Sequence, residues 1–263
     1  MSRVSRLLSA RRPGHKLLAP FFTAGFPDPA VWRALVGTAA AAGADIIEIG
    51  IPFSDPLADG PAIQFSSHCA LRNGLSLAVL LDGIADLRAR LDLPFILMGY
   101  YNPLLAYGEE RFLEDAAAAG VDGLIIPDLP IEEAVSYRRA ARRQGLSTVF
   151  LVAPTSTPER VKLIDKSSTD FVYAVTVTGV TGTGKTFGEA TDAYLRRLTA
   201  VLTRPFVTGF GVNGPAAARR MARYADGVVI GSALVEVIRS AATKRQAATE
   251  VGRFLDTVRR VLP

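Results

Sequence analysis

The sequence predicts a closed α/β barrel, a single (β/α)8 TIM barrel with an extra helix at each end, on three observations. Short apolar runs rich in β-branched residues alternate eight times with Ala-, Leu- and charge-rich stretches. The chain is 263 residues long, close to the roughly 250 that such a barrel needs. A helix-stop junction also recurs: Ala42-Gly43-Ala44-Asp45-Ile46-Ile47 resembles Ala119-Gly120-Val121-Asp122-Gly123-Leu124, with a looser copy at Tyr224-Ala225-Asp226-Gly227-Val228-Val229. No Ser/Pro-rich linker divides the chain, so one domain over 1–263 is expected. A doubly wound open sheet is the alternative arrangement of the same units.

In chain order, Val4, Leu7 and Leu8 mark a short amphipathic helix, and Leu17–Phe22 reads as the first strand. A helix over Ala30–Ala42 follows, stopped where Gly43 suits a left-handed cap. The strand Asp45–Gly50 precedes a helix over Leu75–Leu91, and the strand Phe95–Tyr100 precedes one over Glu109–Ala119, stopped at Gly120. Then come strand Gly123–Ile126 with helix Ile131–Gln144, and strand Thr148–Val152 with helix Pro158–Lys166. Strand Phe171–Val177 leads to helix Asp192–Leu202, Phe206–Gly209 to Gly214–Arg223, and Gly227–Ile230 to Ala233–Arg239; Thr243–Leu262 is the last helix. Most strands are apolar throughout rather than alternating, as expected when both faces of a parallel sheet are buried.

Composition excludes several classes of function. One cysteine, Cys69, rules out an intramolecular disulfide framework and suits a reducing, cytoplasmic compartment. With only His15 and His68 beside it, no structural zinc site is expected. No uncharged apolar run approaches the roughly 20 residues that span a bilayer. The net charge of +5 comes with arginine pairs at 138–139, 142–143, 196–197, 219–220 and 259–260. These fall in later turns of predicted helices, where cations suit the dipole, and no aromatics interleave with them, so no nucleic-acid partner is expected. The segment 1–27 is Ser/Arg-rich and free of acids, as transit peptides are, but its helix and strand patterns favour a folded part of the barrel.

Chemistry in such barrels sits at the C-terminal strand ends. The densest of these is Ile46-Ile47-Glu48-Ile49-Gly50-Ile51-Pro52-Phe53-Ser54-Asp55-Pro56-Leu57-Ala58-Asp59-Gly60-Pro61. A carboxylate inside an apolar strand is costly unless partnered or functional. Glu48 shares a face with Ile46 and Gly50, which aims it into the barrel mouth beside a small residue, and no strand supplies a cation to pair with it. Burial would raise its pKa, which suits a group that gives and takes protons. Asp59, eleven residues on, lies on a loop long enough to turn back over the mouth; Asp59 and Asp55 also fit simple turn roles. Gly209-Phe210-Gly211-Val212 and Gly231-Ser232-Ala233 end adjacent strands, where glycine amides and a helix N-terminus form an anion cradle. Gly179-Val180-Thr181-Gly182-Thr183-Gly184-Lys185-Thr186 matches the P-loop pattern literally. Five residues separate it from the next helical pattern, however, and no clean acidic strand end is available for Mg²⁺. A glycine-rich lid explains the stretch better.

These residues resemble the alpha subunit of tryptophan synthase. The motif from Ile47 to Pro61 looks like its signature, and Met98-Gly99-Tyr100-Tyr101-Asn102-Pro103, Ile126-Pro127-Asp128-Leu129-Pro130, Gly179-Val180-Thr181-Gly182, Gly209-Phe210-Gly211-Val212 and Gly231-Ser232-Ala233 match further segments in the same order. The likeness runs from about Pro20 to Arg239. It implies a carbon–carbon lyase that cleaves indole-3-glycerol phosphate to indole and glyceraldehyde 3-phosphate, with no cofactor or metal of its own. It further implies a beta subunit partner that carries pyridoxal phosphate, in an α2β2 tetramer. Glu48 matches the acid/base position and Asp59 the carboxylate that engages the indole N–H. Phe21, Ile63, Tyr100, Ile125 and Phe210 match apolar positions around the ring, Tyr173 a nearby tyrosine, and Thr181 the lid threonine that meets the Asp59 position on closure. Gly182, Gly211, Gly231 and Ser232 match phosphate contacts, while Pro52, Asp55 and Asn102 lie on segments used against the beta subunit. The departure is Thr183-Gly184-Lys185-Thr186, unusual after Gly-Val-Thr-Gly, where Lys185 either reaches the substrate phosphate or, the favoured reading, is solvated. Two other readings are a stand-alone lyase that releases free indole and an idle regulatory subunit, the latter opposed by intact Glu48 and Asp59.

Overall fold

The N-terminal ends of the strands are tied together by a repeated aspartate clamp, and the recurrent junction in the sequence is its signature. In the computed structural model, which describes residues 2–176 and 188–263, Gly43 and Gly120 take the left-handed caps at φ +84° and +94°. The aspartate that follows each cap turns back to the start of the strand before its own. Asp45 accepts from the Leu18 amide at 2.8 Å, Asp122 from Phe95 at 2.9 Å and Asp226 from Phe206 at 3.0 Å. An arginine seals each clamp: Arg259 on Asp45 at 3.1 Å, Arg88 on Asp122 at 2.7 Å and Arg11 on Asp226 at 2.7 Å. These carboxylates satisfy amides that the parallel ladder leaves open at its lower rim.

The elements run α1 Arg3–Ala10, β1 Leu17–Thr23, α2 Pro29–Ala41, β2 Ile47–Gly50, α3 Pro61–Arg72, α4 Leu77–Arg88, β3 Phe95–Met98, α5 Tyr101–Tyr107, α6 Glu109–Ala119, β4 Gly123–Ile125 and α7 Val135–Arg143. They continue β5 Ser147–Val149, β6 Leu151–Val152, α8 Pro158–Ser167, β7 Val172–Val175, α9 Glu189–Val201, β8 Phe206–Gly209, α10 Pro215–Met221, β9 Gly227–Ile230, α11 Ser232–Ser240 and α12 Lys244–Arg259. All pairings are parallel, in the order β5-β4-β3-β2-β1-β9-β8-β7-β6. The two end strands, β5 and β6, are one stretch of chain interrupted only at Phe150, whose carbonyl still accepts from the Tyr173 amide at 3.1 Å. Among the described residues nine strands therefore make eight staves and the ring closes through the backbone, which excludes the open sheet.

The boundaries shift for local reasons. The strand expected from Asp45 starts at Ile47, because Asp45 serves as a clamp. The helix expected from Ile131 starts at Val135, after a turn in which the Glu133 amide reaches Pro130 O at 3.1 Å. Helices α3 and α5, which no helical pattern marked, begin at Pro61 and Tyr101, within the motifs that follow β2 and β3. Helix α1 is folded into the barrel base: Val4 is fully buried, and Arg3 reaches Asp92 at 2.9 Å and Asp122 at 3.2 Å. The core between staves and outer helices is built from Trp32, Phe22, Phe95, Phe112 and the leucines of α2 and α4. No helix among the described residues is long and apolar enough to cross a membrane.

Candidate active site

Strand register sets the interior of the mouth. Pairing puts Phe21, Glu48, Ile96, Gly123 and Ser147 in one row. Thr23, Gly50, Met98, Ile125 and Val149 form the row two residues nearer the C-terminal ends, on the same face. Above them a cavity is lined by Phe21, Thr23, Gly50, Asp59, Ile63, Ser67, Met98, Tyr100, Pro127 and Phe210, among others. Gly50 has to be glycine here, since a Cβ would lie 2.4 Å from the Phe21 ring. A largely apolar cavity results, with Asp59 in its wall and Glu48 in the strand row below it.

Glu48 is 3% exposed, flanked in its row by Phe21 and Ile96, and no cation offsets its burial among the described residues. Loss of hydration, with the charge of Asp59 as the second cause, pushes its pKa up to about 8. Asp59 stands on the loop after β2, held by its own amide on Pro56 O at 3.0 Å and by the Gln64 side-chain amide on its carbonyl at 2.8 Å. Burial raises its pKa to about 6, and the neighbouring Tyr100 hydroxyl works against that rise. Near neutral pH Glu48 is thus mainly protonated while Asp59 is mainly ionised. Tyr173, 2% exposed on β7, lies close enough to both acids that their charges raise its pKa further above an already buried phenol. Its ring meets Phe210 edge-on at 5.9 Å. Gly209 makes room for it, because a Cβ there would sit 1.9 Å from the Tyr173 hydroxyl.

On the other side of the mouth, β8 ends in a turn where Phe210 has φ +62° and Gly211 φ +97°. A left-handed non-glycine residue is strained. The Thr176 hydroxyl holds it by donating to the Gly209 carbonyl at 2.7 Å and to that of Phe210. Gly231 then caps α11 with no side-chain bond, so the first amides of that helix, from Ser232 onward, face the mouth as donors with a favourable dipole. Packing alone does not demand glycine at 231: a Cβ would meet Phe21 at an ordinary 3.6 Å. Such an end suits a phosphate.

Among the expected residues, Phe21, Asp59, Ile63, Tyr100 and Phe210 line one cavity; Glu48, Ile125 and Tyr173 face the same interior from the staves below it; Gly211, Gly231 and Ser232 sit on the adjacent rim. Tyr100 is more than ring lining, because its hydroxyl is spent on the Asp59 loop. Thr181, Gly182, Thr183-Gly184-Lys185-Thr186 and Val177 lie outside the described residues. Pro52 is buried in the floor of a groove with Phe53, Leu71, Leu75, Leu77 and Pro103, whereas Asp55 and Asn102 are exposed beside it. Residue patterns missed Thr23, Ser67, Met98 and Pro127 in the wall, and Thr176 behind the turn; their place follows only from closure of the ring. Among the described residues, no group of three His, Cys, Asp or Glu could hold a metal ion.

Comparison with known proteins is consistent across sequence and structure. Residues 7–261 match the family model described as tryptophan synthase alpha chain. The chain is 44% identical over 258 residues to the tryptophan synthase alpha chain of Geobacter sulfurreducens, covering 98% of this chain and 96% of that one. A crystal structure of tryptophan synthase subunit alpha from Legionella pneumophila superposes with a TM-score of 0.91 at 34% identity, covering 100% and 98% of the two chains. A chain of tryptophan synthase from M. tuberculosis, in an aminoacrylate-bound form, gives 0.87 at 32% identity with full coverage of both.

Proposed function

The chain belongs to the tryptophan synthase alpha chain family, and from that premise we propose that it cleaves indole-3-glycerol phosphate to indole and glyceraldehyde 3-phosphate. The observation that carries the reading is the pair of acids at one apolar mouth, one buried and mainly neutral, the other mainly ionised. The glycerol phosphate is held at Gly211, Gly231 and Ser232, and the ring lies in the slot of Phe21, Ile63, Tyr100, Ile125 and Phe210.

Glu48 starts as the acid and delivers its proton to ring carbon three, which makes an indolenine-like cation. Asp59 accepts the ring N–H and stabilises the positive charge that develops there. Glu48, now a carboxylate in a site that disfavours its charge, takes the proton of the adjacent side-chain hydroxyl. As that proton leaves, the carbon–carbon bond breaks, its electrons return to the ring, and aldehyde and indole result. One proton goes in and one comes out, so Glu48 ends as it began. These transfers need only the chain's own carboxylates. Pyridoxal phosphate is assigned to a beta subunit, which joins the indole to serine, and an α2β2 tetramer in the cytoplasm is the assembly we propose. Pro52, Asp55 and Asn102 are the docking residues.

An indole-release assay on the purified chain, alone and with a beta subunit added, tests this. Release that rises on addition of the beta subunit supports the reading. Strong release by the isolated chain, unchanged by a partner, favours a stand-alone lyase. No release under either condition overturns the assignment.

A further inference from the structure

Asp59 sits on a loop whose outer side is open to solvent: Leu57 is 87% exposed and Ala58 is exposed as well. A carboxylate on such a segment does not hold a catalytic position by itself. The main chain of Asp59 is held by Pro56 and Gln64, and a further hold comes from the next stave. Tyr100 follows β3 directly, and its ring is 8% exposed and packed against Phe53 at a centroid distance of 5.2 Å. Its hydroxyl accepts the Ala58 amide at 2.9 Å, and it lies close enough to the Asp59 carboxylate that each influences the other's ionisation. One oxygen thus ties the residue before Asp59 to the rigid sheet and leaves its own hydrogen free to turn to the carboxylate. Resting on the lyase reading above, we propose that Tyr100 is a positioning residue whose hydroxyl pins the 58–59 segment to the end of β3 and holds the Asp59 carboxylate over the ring-binding cavity.

The consequence follows from what the hydroxyl gives. A hydrogen bond donated to a carboxylate favours its charged form, so Tyr100 keeps Asp59 ionised in a place where burial works against ionisation. Its removal leaves the ring wall intact, so the effect falls on Asp59 rather than on substrate packing.

The variant Tyr100→Phe tests this with two readouts. In 13C-aspartate NMR titrations the Asp59 midpoint, assigned with Asp59→Asn, should move up by about 1 pH unit, roughly tenfold in the ionisation constant. In steady-state assays kcat should fall about tenfold or more with little change in KM, and the acidic limb of kcat/KM should move up with the NMR midpoint. In an Asp59→Asn background, Tyr100→Phe should cost less than about twofold, because the group it positions is gone. An unmoved midpoint, or an equal loss in both backgrounds, overturns the positioning role. Failure of the lyase reading is distinct: the wild-type chain then releases no indole, while the NMR midpoint still reports on the Tyr100–Asp59 bond.

Discussion

Replacing Glu48 by Gln should stabilise the fold while stopping the reaction, and the pH dependence of that stabilisation identifies its cause. The folded pKa of Glu48 is about 8 against an ordinary 4.5. Between those values the unfolded chain releases this proton and the folded chain keeps it, so stability is lost as pH rises through the window. Each pH unit inside it is worth about 1.4 kcal/mol. From pH 5 to pH 7 the wild type should therefore lose roughly 2 to 3 kcal/mol through this one group, and about 1 kcal/mol more by pH 8. Gln has nearly the same volume and no charge to bury, so the variant escapes that loss. Asp59 titrates in both chains, and its own contribution largely cancels in the comparison. The assay is urea unfolding of both proteins at pH 5, 6, 7 and 8, followed by far-UV circular dichroism. The difference in unfolding free energy should be small at pH 5 and widen steadily to pH 8. Turnover of the variant should be down by at least about 10²-fold, with substrate still bound. Two stability curves that run parallel across this range would refute the claim that Glu48 is buried without a compensating cation, and near-normal turnover would remove it from the chemistry.

The kcat/KM profile should be bell-shaped, rising through about pH 6 as Asp59 ionises and falling through about pH 8 as Glu48 loses its proton, by the two values set in the fold. Asp59→Asn should cost about 10²-fold in turnover and also move the alkaline limb to lower pH, because the like charge that raises Glu48 is gone; stopped-time indole assays across pH 6 to 9 measure both. Gly211→Val places a β-branched residue at φ +97° and should raise the KM for the phosphate substrate by more than tenfold, with inhibition by free indole unchanged. Asp122→Ala, at the opposite end of the barrel, leaves Arg88 without its carboxylate and Phe95 without its amide acceptor. It should cost about 3 to 5 kcal/mol of stability by urea unfolding, with kcat/KM unchanged in the fraction that remains folded.

Much of this protein was legible before folding because barrels write their plan locally. Each stave is an apolar run and each helix stop a glycine, so the eight units and the end of the barrel that carries chemistry follow from short-range pattern. The strands Phe206–Gly209 and Gly227–Ile230 coincide with their expected bounds. The same locality exposed Glu48, since an acid in an uninterrupted apolar strand stands out in one dimension. Helices α3 and α5 escaped notice because they begin inside the motifs that serve the site, where residue choice answers to the ligand rather than to helical periodicity.

What the sequence determined, then, was the inventory: eight β/α units, two carboxylates and two glycine turns at strand ends. What only the tertiary structure decided was proximity and charge state. Closure through Phe150 sets Tyr173 beside Glu48, although 125 positions separate them in the chain. Pairing of β2 with β3 brings the Tyr100 hydroxyl under the loop from the neighbouring stave. The reason is physical: periodicity reports which face of its own strand a residue occupies, whereas the loss of hydration that lifts one acid to about 8 and the other to about 6 is the joint work of every stave around the ring.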